Sequence, residues 1–344
     1  MDATVNIEHE AQRLYEKLAN VGFNEGYCKM IAPLTLEINE LKRRKNAVIL
    51  AHSYQTADIL YGVADVVGDS YQLSKKAQES DADLIVFCGV RFMAETAKVL
   101  NPSKTVILPA AEAGCSLADS ITAKDVRALK DRHPGVPVVV YVNTSAEVKA
   151  EADACCTSAN AVKVIEGFPG DEIIFLPDKL MAANLQKVVS KKLITWHGTC
   201  IVHEDFQPGT IARFRALYPG VKVLAHSECS PLVVEKSDMV GGTGDMIRYV
   251  QETQAPAYML VTECGLSDRM RAELPEKEFL GMCGLCPYMK MNTLPLVLKA
   301  LKNPSSHDII EVDEAIRVGA EKSLLRMFEL TEPRRAHSDM TPAL

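Results

Sequence analysis

Three cysteines, Cys115, Cys200 and Cys286, stand 85 and 86 residues apart, each in a loop after or between predicted elements. Cysteine thiolates are the usual ligands of iron–sulfur clusters. Three such ligands on a four-iron cube leave one iron open, and an open iron acts as a Lewis acid toward a substrate oxygen or nitrogen, as an open zinc position does. Thiols buried only for packing have no reason to keep a common period. Two local readings compete. Cys283-x-x-Cys286 has the spacing of a redox pair, whose closure would withdraw Cys286 as a ligand. Cys200-x-x-His203 has the spacing of part of a zinc site. Cys28, Cys88, Cys155, Cys156, Cys229 and Cys264 fall off the period and read mostly as packing residues, with Cys229 and Cys264 as candidates for the edge of the site.

Polar residues keep the same beat. His52, Asn143 and His226 stand at or just past the end of a predicted strand, and a hydroxyl follows at a predicted helix start: Ser70, Ser158 and Thr243. The steps Tyr141 to Ser158 and His226 to Thr243 are both 17 residues, and His52 to Ser70 is 18. Any one of these hydroxyls reads best as a helix cap. Three at equivalent places suggest more, because helix N-termini offer free N–H groups and a positive dipole end to carboxylates and phosphates. The pattern predicts a small, multiply anionic substrate. Glu228, two residues after His226, and Tyr54, two after His52, are ionisable groups suited to proton transfer. The plain alternative for Glu228 is a surface carboxylate. Tyr141 reads equally as a half-buried strand aromatic, and His197 and His203 read as structural or supporting residues.

The elements that must position these groups are legible as a repeat. Apolar runs at AVILAHSY (47–54), VPVVVYVNTS (136–145) and VKVLAHSEC (221–229) are followed by a second set at ADLIVFCG (82–89), DEIIFLPD (171–178) and AYMLVTECG (257–265). Aligned at Asp83, Asp171 and Tyr258, the second set steps by 88 and 87 residues. Helical patterns such as DILYGVADVV, SANAVKVIEGF and GDMIRYVQET lie between the runs. Strands alternating with helices predict right-handed βαβ units on parallel sheets, an α/β fold of three similar units. Ligands of such sheets bind outside the carboxyl ends of the strands.

Composition is consistent with this. The chain has 344 residues, 47% hydrophobic and 24% charged, with a net charge of −7 and a pI near 5.7. That is a globular, multi-domain composition with no signature of a nucleic-acid or membrane partner. The one basic cluster, Lys42-Arg43-Arg44-Lys45, reads as a solvated helix end. The start, MDATVNIEHEAQRLYEKL, lacks the basic and apolar regions of a signal peptide, and no apolar run reaches the length of a membrane span. A cytoplasmic location is expected, where structural disulfides are rare.

The motifs HSYQ (52–55), GDS (68–70), AGCS (114–116), YVNTSAEVKAEADACCTSANA (141–161), CIVHEDF (200–206), HSEC (226–229), GGTGDM (241–246) and MCGLCPYMKMNTL (282–294) resemble the quinolinate synthase A family, in order, from about residue 35 to 330. The resemblance implies three homologous Rossmann-like αβα domains with parallel sheets, related by pseudo-threefold symmetry: 1–119, completed by C-terminal helices in 291–344, then 120–205 and 206–290. It implies one central [4Fe–4S] cluster on Cys115, Cys200 and Cys286 with one open iron. Substrate contacts carry over to His52, Ser70, Tyr141, Val142, Asn143, Ser158, His226, Ser227, Glu228 and Thr243, and catalytic roles to Tyr54, Glu228 and His226. The implied activity is that of a transferase of pyridine nucleotide biosynthesis. It condenses iminoaspartate, supplied by an L-aspartate oxidase or dehydrogenase, with dihydroxyacetone phosphate. Ser227, where the family more often has Pro, and Ser53 depart from the pattern, and the extra cysteine that some members carry before the CxxC is missing.

Three rival readings remain at this level. An aconitase-like hydro-lyase would use the same open iron without a sugar phosphate. A metal-binding or redox-sensing protein would be built on Cys283 and Cys286. A dinucleotide-binding Rossmann protein is disfavoured, because no G-x-G-x-x-G follows the first strand.

Overall fold

A computed structural model describes residues 3–331. Its strands form three four-stranded sheets, parallel throughout. The first contains β1 (Ala47–His52), β2 (Val66–Gly68), β3 (Leu84–Cys88) and β4 (Thr105–Ile107). The second contains β5 (Val138–Tyr141), β6 (Ala154–Cys156), β7 (Glu172–Leu176) and β8 (Lys192–Thr195). The third contains β9 (Lys222–His226), β10 (Met239–Gly241), β11 (Tyr258–Val261) and β12 (Phe279–Leu280). The strand orders are identical: β2-β1-β3-β4, β6-β5-β7-β8 and β10-β9-β11-β12. Three Rossmann-like αβα units are therefore present, as the repeat predicts. Sheets covered on both faces demand continuous apolar strands. Accordingly, Ile49, Leu50 and Ala51, Val138 to Val140, and Val223 to Ala225 are wholly buried.

The short edge strands β2, β6 and β10 are absent from the sequence reading. DILYGVADVV reads as one helix, but that helix stops at Gly62 and Val66–Gly68 pairs with β1. The cause recurs three times. Asp65, Asp153 and Asp238 each stand just before an edge strand. Their carboxylates accept the N–H of Ile49, Val138 and Val223, each at 2.8 Å. Their own N–H groups donate back to the carbonyls of the same three residues. This two-point clasp pins the edge strand to the central strand and outweighs helical continuation.

The clasp also sets register. His52 pairs with Gly68, Tyr141 with Cys156 and His226 with Gly241. One residue later, the N–H groups of Ser53, Val142 and Ser227 donate to the carbonyls of Gly68, Cys156 and Gly241. Tyr141, rather than Asn143, is thus the counterpart of the two histidines, and Asn143 corresponds to Tyr54 and Glu228. These strand ends lie where the strand order reverses, the usual ligand crevice of open parallel sheets.

The C-terminal helices divide their allegiance. Helix Leu294–Lys302 packs on helix Glu25–Arg44 and β3 of the first unit, and Ile309 bridges to Ile107. Helix Glu314–Thr331 instead lies mainly on the second unit, against helix Ala146–Ala150 and β6. Gly319 permits this approach, since a Cβ there would stand 2.9–3.1 Å from Ala150. Residues 332–344, the end of the segment assigned to the first domain, lie outside the described residues. Among the described residues, no helix is long and apolar enough to cross a membrane.

The first and third units meet closely at the strand ends. A Cβ on Gly265, in helix Cys264–Glu273, would come within 2.7–2.8 Å of the backbone of Tyr54, which has no flexible end to move aside. Gly265→Ala is therefore expected to destabilise the protein by about 1–3 kcal/mol through overpacking. Denaturant unfolding measures this, and an unchanged midpoint would show that the helix can withdraw without cost.

Candidate active site

One cavity opens at the carboxyl ends of the three sheets. Its lining includes the strand-end residues His52, Tyr141 and His226 and the residues two further on, Tyr54, Asn143 and Glu228. Cys115, Cys200 and Cys286 also border it, one from the last loop of each unit, together with Ser70, Ser158 and Thr243. Among the sequence-selected residues Ser227 does not line it. Side chains alternate past the strand end, so Ser227 turns away, and its hydroxyl is buried without a hydrogen-bond partner among the described residues. Val142 borders the cavity, but its N–H and carbonyl are taken by the Cys156 carbonyl and the Thr144 N–H, so only its side chain is on offer.

The three cysteines share a local geometry. Each sulfur receives backbone N–H bonds from the residues two and three positions on: Leu117 and Ala118 for Cys115, Val202 and His203 for Cys200, Tyr288 and Met289 for Cys286. Burial nonetheless pushes the Cys115 thiol up to about 12 and raises those of Cys200 and Cys286. Oriented N–H pairs favour a thiolate, and hydrogen bonds to sulfur are a recurring feature of iron–sulfur ligation. The missing element is a positive charge to deprotonate the sulfur, which a bound metal supplies. The donor set therefore fits a group held by three thiolates.

The histidines are neutral and oriented. Burial lowers His52 to about 3 and His226 to about 4. The Nδ1 of each accepts a backbone N–H from two residues on, Tyr54 at 3.2 Å and Glu228 at 3.4 Å. In a neutral ring the other nitrogen must then carry the proton, so Nε2–H is each ring's available donor. Burial works against charge on Glu228. The electrostatic pull of the adjacent His203 and the bonds from His203 and Tyr141 outweigh it, holding the carboxyl well below its usual range. Tyr141 donates to Glu228 Oε1 at 2.6 Å, and its own ionisation is pushed far up by burial and by that carboxylate. Burial likewise raises Tyr54, only partly offset by Thr243 and Thr262.

The hydroxyls follow the prediction in part. Ser70 and Thr243 are the first residues of helices Ser70–Glu79 and Thr243–Glu252, while Asp69 and Gly242 take the cap positions. Ser158 departs from it, lying in a turn ahead of the short helix Ala161–Glu166. The Thr157 N–H bonds to Asn160 Oδ1 at 2.7 Å, closing the turn before the helix can begin. All three still converge, because Gly242 lies against the Ser158 side chain and Gly244 against the Asp69 carboxylate.

The profile of the quinolinate synthetase A protein family matches residues 36–329. The chain belongs to the quinolinate synthetase A family. Among its relatives, a quinolinate synthase of Sinorhizobium fredii is 46% identical over 330 residues, covering 96% of this chain and 91% of the relative. One from Xylella fastidiosa (strain Temecula1) is 50% identical over 293 residues, covering 85% and 86%. One from Caulobacter vibrioides is 48% identical over 334 residues, covering 96% and 90%.

In this quinolinate synthetase A chain the cysteine pairing differs from the spacing-based expectation. Cys283 is disulfide-bonded to Cys264, not to Cys286. The reason is packing: the loop after β12 lies alongside the end of β11, with Cys264 N–H donating to the Gly284 carbonyl and Gly284 N–H to that of Thr262. Cys286 is left free and half-buried. Glu263 supports it, accepting the Cys286 N–H at 3.2 Å and pairing with Lys290 at 3.0 Å. Cys229 is buried behind the site, its thiol directed at the Val261 carbonyl.

Sequence reasoning also undervalued His203 and missed Thr262. His203 lines the cavity, bonded to Glu228 Oε2 and to Thr262 Oγ1, each at 3.0 Å. Its register with Cys200 was the available signal, and Thr262 gave none. His197 instead packs against Trp196 in a tilted ring contact, centroids 4.3 Å apart. Ligand atoms of Cys200, His203 and Glu228 lie within 4.8 Å of one another, a spacing open to a single metal ion. Both His203 nitrogens are already committed to hydrogen bonds, which favours the three-thiol set.

Cys115→Ala, Cys200→Ala and Cys286→Ala are each expected to lose iron and acid-labile sulfide from anaerobically purified protein. Cys264→Ala and Cys283→Ala should retain both. Iron and sulfide assays decide it, and full content in any of the first three variants removes that residue from the ligand set.

Proposed function

We propose that the chain is a quinolinate synthase. It condenses iminoaspartate, supplied by an L-aspartate oxidase or dehydrogenase, with dihydroxyacetone phosphate, releasing phosphate and water, in cytoplasmic NAD biosynthesis. The observation that carries this reading, beyond family membership, is three N–H-supported thiols in one cavity with neutral histidines, a buried carboxylate and two helix starts. Cys115, Cys200 and Cys286 would hold one [4Fe–4S] cluster. When bound, the cluster supplies an open iron as a Lewis acid for a substrate oxygen or nitrogen.

The chain's own groups answer the remaining demands. Neutral His52 and His226 offer Nε2–H donors to substrate oxygens without a fixed charge, and Asn143 adds a polar amide. Ser70 and Thr243 at helix starts, with Ser158 beside them, suit the carboxylates and the phosphate. Replacing any of these three hydroxyls with Ala should weaken substrate use by about 1.5–3 kcal/mol in kcat/KM, the worth of a hydrogen bond to a charged group. Steady-state kinetics measure it, and wild-type values in all three would remove the anion sites.

Glu228, ionised and buried, is the general base and proton acceptor in this reading, with Tyr54 as its partner on the first unit. Glu228→Gln and Tyr54→Phe should keep iron and substrate binding while turnover falls on the order of 10²–10⁴-fold. The assay is quinolinate formed from iminoaspartate with and without the triose phosphate. An aconitase-like activity would hydrate a dicarboxylate without it. No quinolinate from iron-replete wild type would end the proposal.

A further inference from the structure

We propose that Lys149 is the buried counter-cation of the cavity, a charge held behind its wall that stabilises a bound carboxylate or phosphate; the inference rests on the anionic substrate class proposed above. The cavity is short of positive charge for such a ligand. Asp69, Glu228 and Glu263 line it, and no described lysine or arginine does. His52 and His226 are neutral. Lys290 and Arg269 are near enough to oppose a charge on His52. Each is already paired, Lys290 with Glu263 at 3.0 Å and Arg269 with Glu273 at 2.7 Å. The helix starts offer only partial charge.

Lys149 differs from both. It lies in the short helix Ala146–Ala150 of the second unit and is wholly buried. Its Nζ donates to the carbonyl of Thr144, the residue after Asn143 of the cavity lining. It also lies over the ring of Phe92, 5.4 Å from the centroid, and Phe92 borders the cavity from the first unit. These two contacts hold the ammonium against the wall at the seam of two units. The other groups that bear on its charge are Cys155, Glu95 and Cys115. Cys155 shares its thiol hydrogen bond with Ser323. Glu95 forms no ion pair with Lys149, because its oxygens take the Arg91 guanidinium at 3.3 Å and the Ala146 N–H at 2.9 Å.

An ammonium has three N–H donors, and the Thr144 carbonyl engages one of them. Burying such a group without an ionic partner is costly, and an unbranched apolar chain such as Met would fill the same length without desolvating a charge. Packing alone therefore gives no reason for a lysine here, whereas a cavity short of positive charge does. Burial lowers Lys149 to about 8, so it keeps its proton at neutral pH. Away from bulk water its field is weakly screened and reaches an anion across Phe92 and Asn143. Lys149 does not line the cavity, so it acts on the ligand through the wall and is a positioning residue.

Lys149→Met removes the charge and the donor, whereas Lys149→Gln removes the charge and keeps an N–H for the Thr144 carbonyl. In the cluster-loaded full chain, K149M and K149Q should both bind inorganic phosphate, quinolinate or both on the order of tenfold more weakly, the effect of one weakly screened charge, with iron content unchanged. Anaerobic equilibrium dialysis measures this, and the weakened arm identifies the anion as phosphate or carboxylate. The proposal is overturned if both variants bind both anions as wild type does. It is also overturned if K149Q binds like wild type and only K149M is weak, since the bond to Thr144 and not the charge would then be responsible. Wild type supplies a test that does not depend on how the variants fold. Coupling is reciprocal, so a bound anion should raise the pH at which the Cε NMR resonance of Lys149 titrates by about one pH unit. No change with either phosphate or quinolinate overturns the proposal. Absence of quinolinate formation by iron-replete wild type would refute the functional reading instead, and phosphate binding would still decide the role of Lys149.

Discussion

The aspartate clasp repeated at Asp65, Asp153 and Asp238 is the constraint on which the rest depends. Each carboxylate takes the N–H of a central-strand residue while the same aspartate's N–H returns a bond to that residue's carbonyl. In a sheet a slip of one residue exchanges the two faces. Such a slip would turn His52, Tyr141 and His226 away from the cavity and bring Ser53 and Ser227 toward it. A bond between neighbouring short strands, far from any chemistry, therefore decides which side chains the cavity receives.

The buried charge of Glu228 is the second constraint. An isolated carboxylate at this depth would protonate instead of staying ionised. Tyr141, at the end of β5, and His203, in the loop after β8, each donate to one of its oxygens from the second unit, while Glu228 itself belongs to the third. The ionised state thus exists only when two units are docked. His52 and His226 show the opposite solution. They are equally deep but carry no charge at neutral pH, and the backbone N–H at Nδ1 costs them only one lone pair.

The cysteines follow the same division between repeated local structure and individual packing. Two N–H groups at each of three sulfurs are a backbone property of the loop and recur in every unit. The partner of Cys283 is not repeated, since it depends on the last loop of the third unit lying against the start of helix Cys264–Glu273. That contact, with the support of Glu263 and Lys290, keeps Cys286 out of the disulfide and at the cavity wall.

Much of this was legible in the sequence. Continuous β-branched runs at a common period announce buried parallel strands, because apolar patterning and chain distance are local properties. The same period picked out the three cysteines and the strand-end residues. The three-residue strands were not legible, since VVG, ACC and MVG are too short to carry a pattern and are held by a clasp across strands. Nor was the turn at Ser158, the outward face of Ser227, the docking of helix Glu314–Thr331 on the second unit, or the Cys264–Cys283 bond. The sequence by itself determined three equivalent α/β units and the residues each would bring to its strand ends. Only the tertiary structure decided which of them meet, because the links from Tyr54 through Thr262 and His203 to Glu228 span 208, 59 and 25 residues of chain and exist only where the three units pack together.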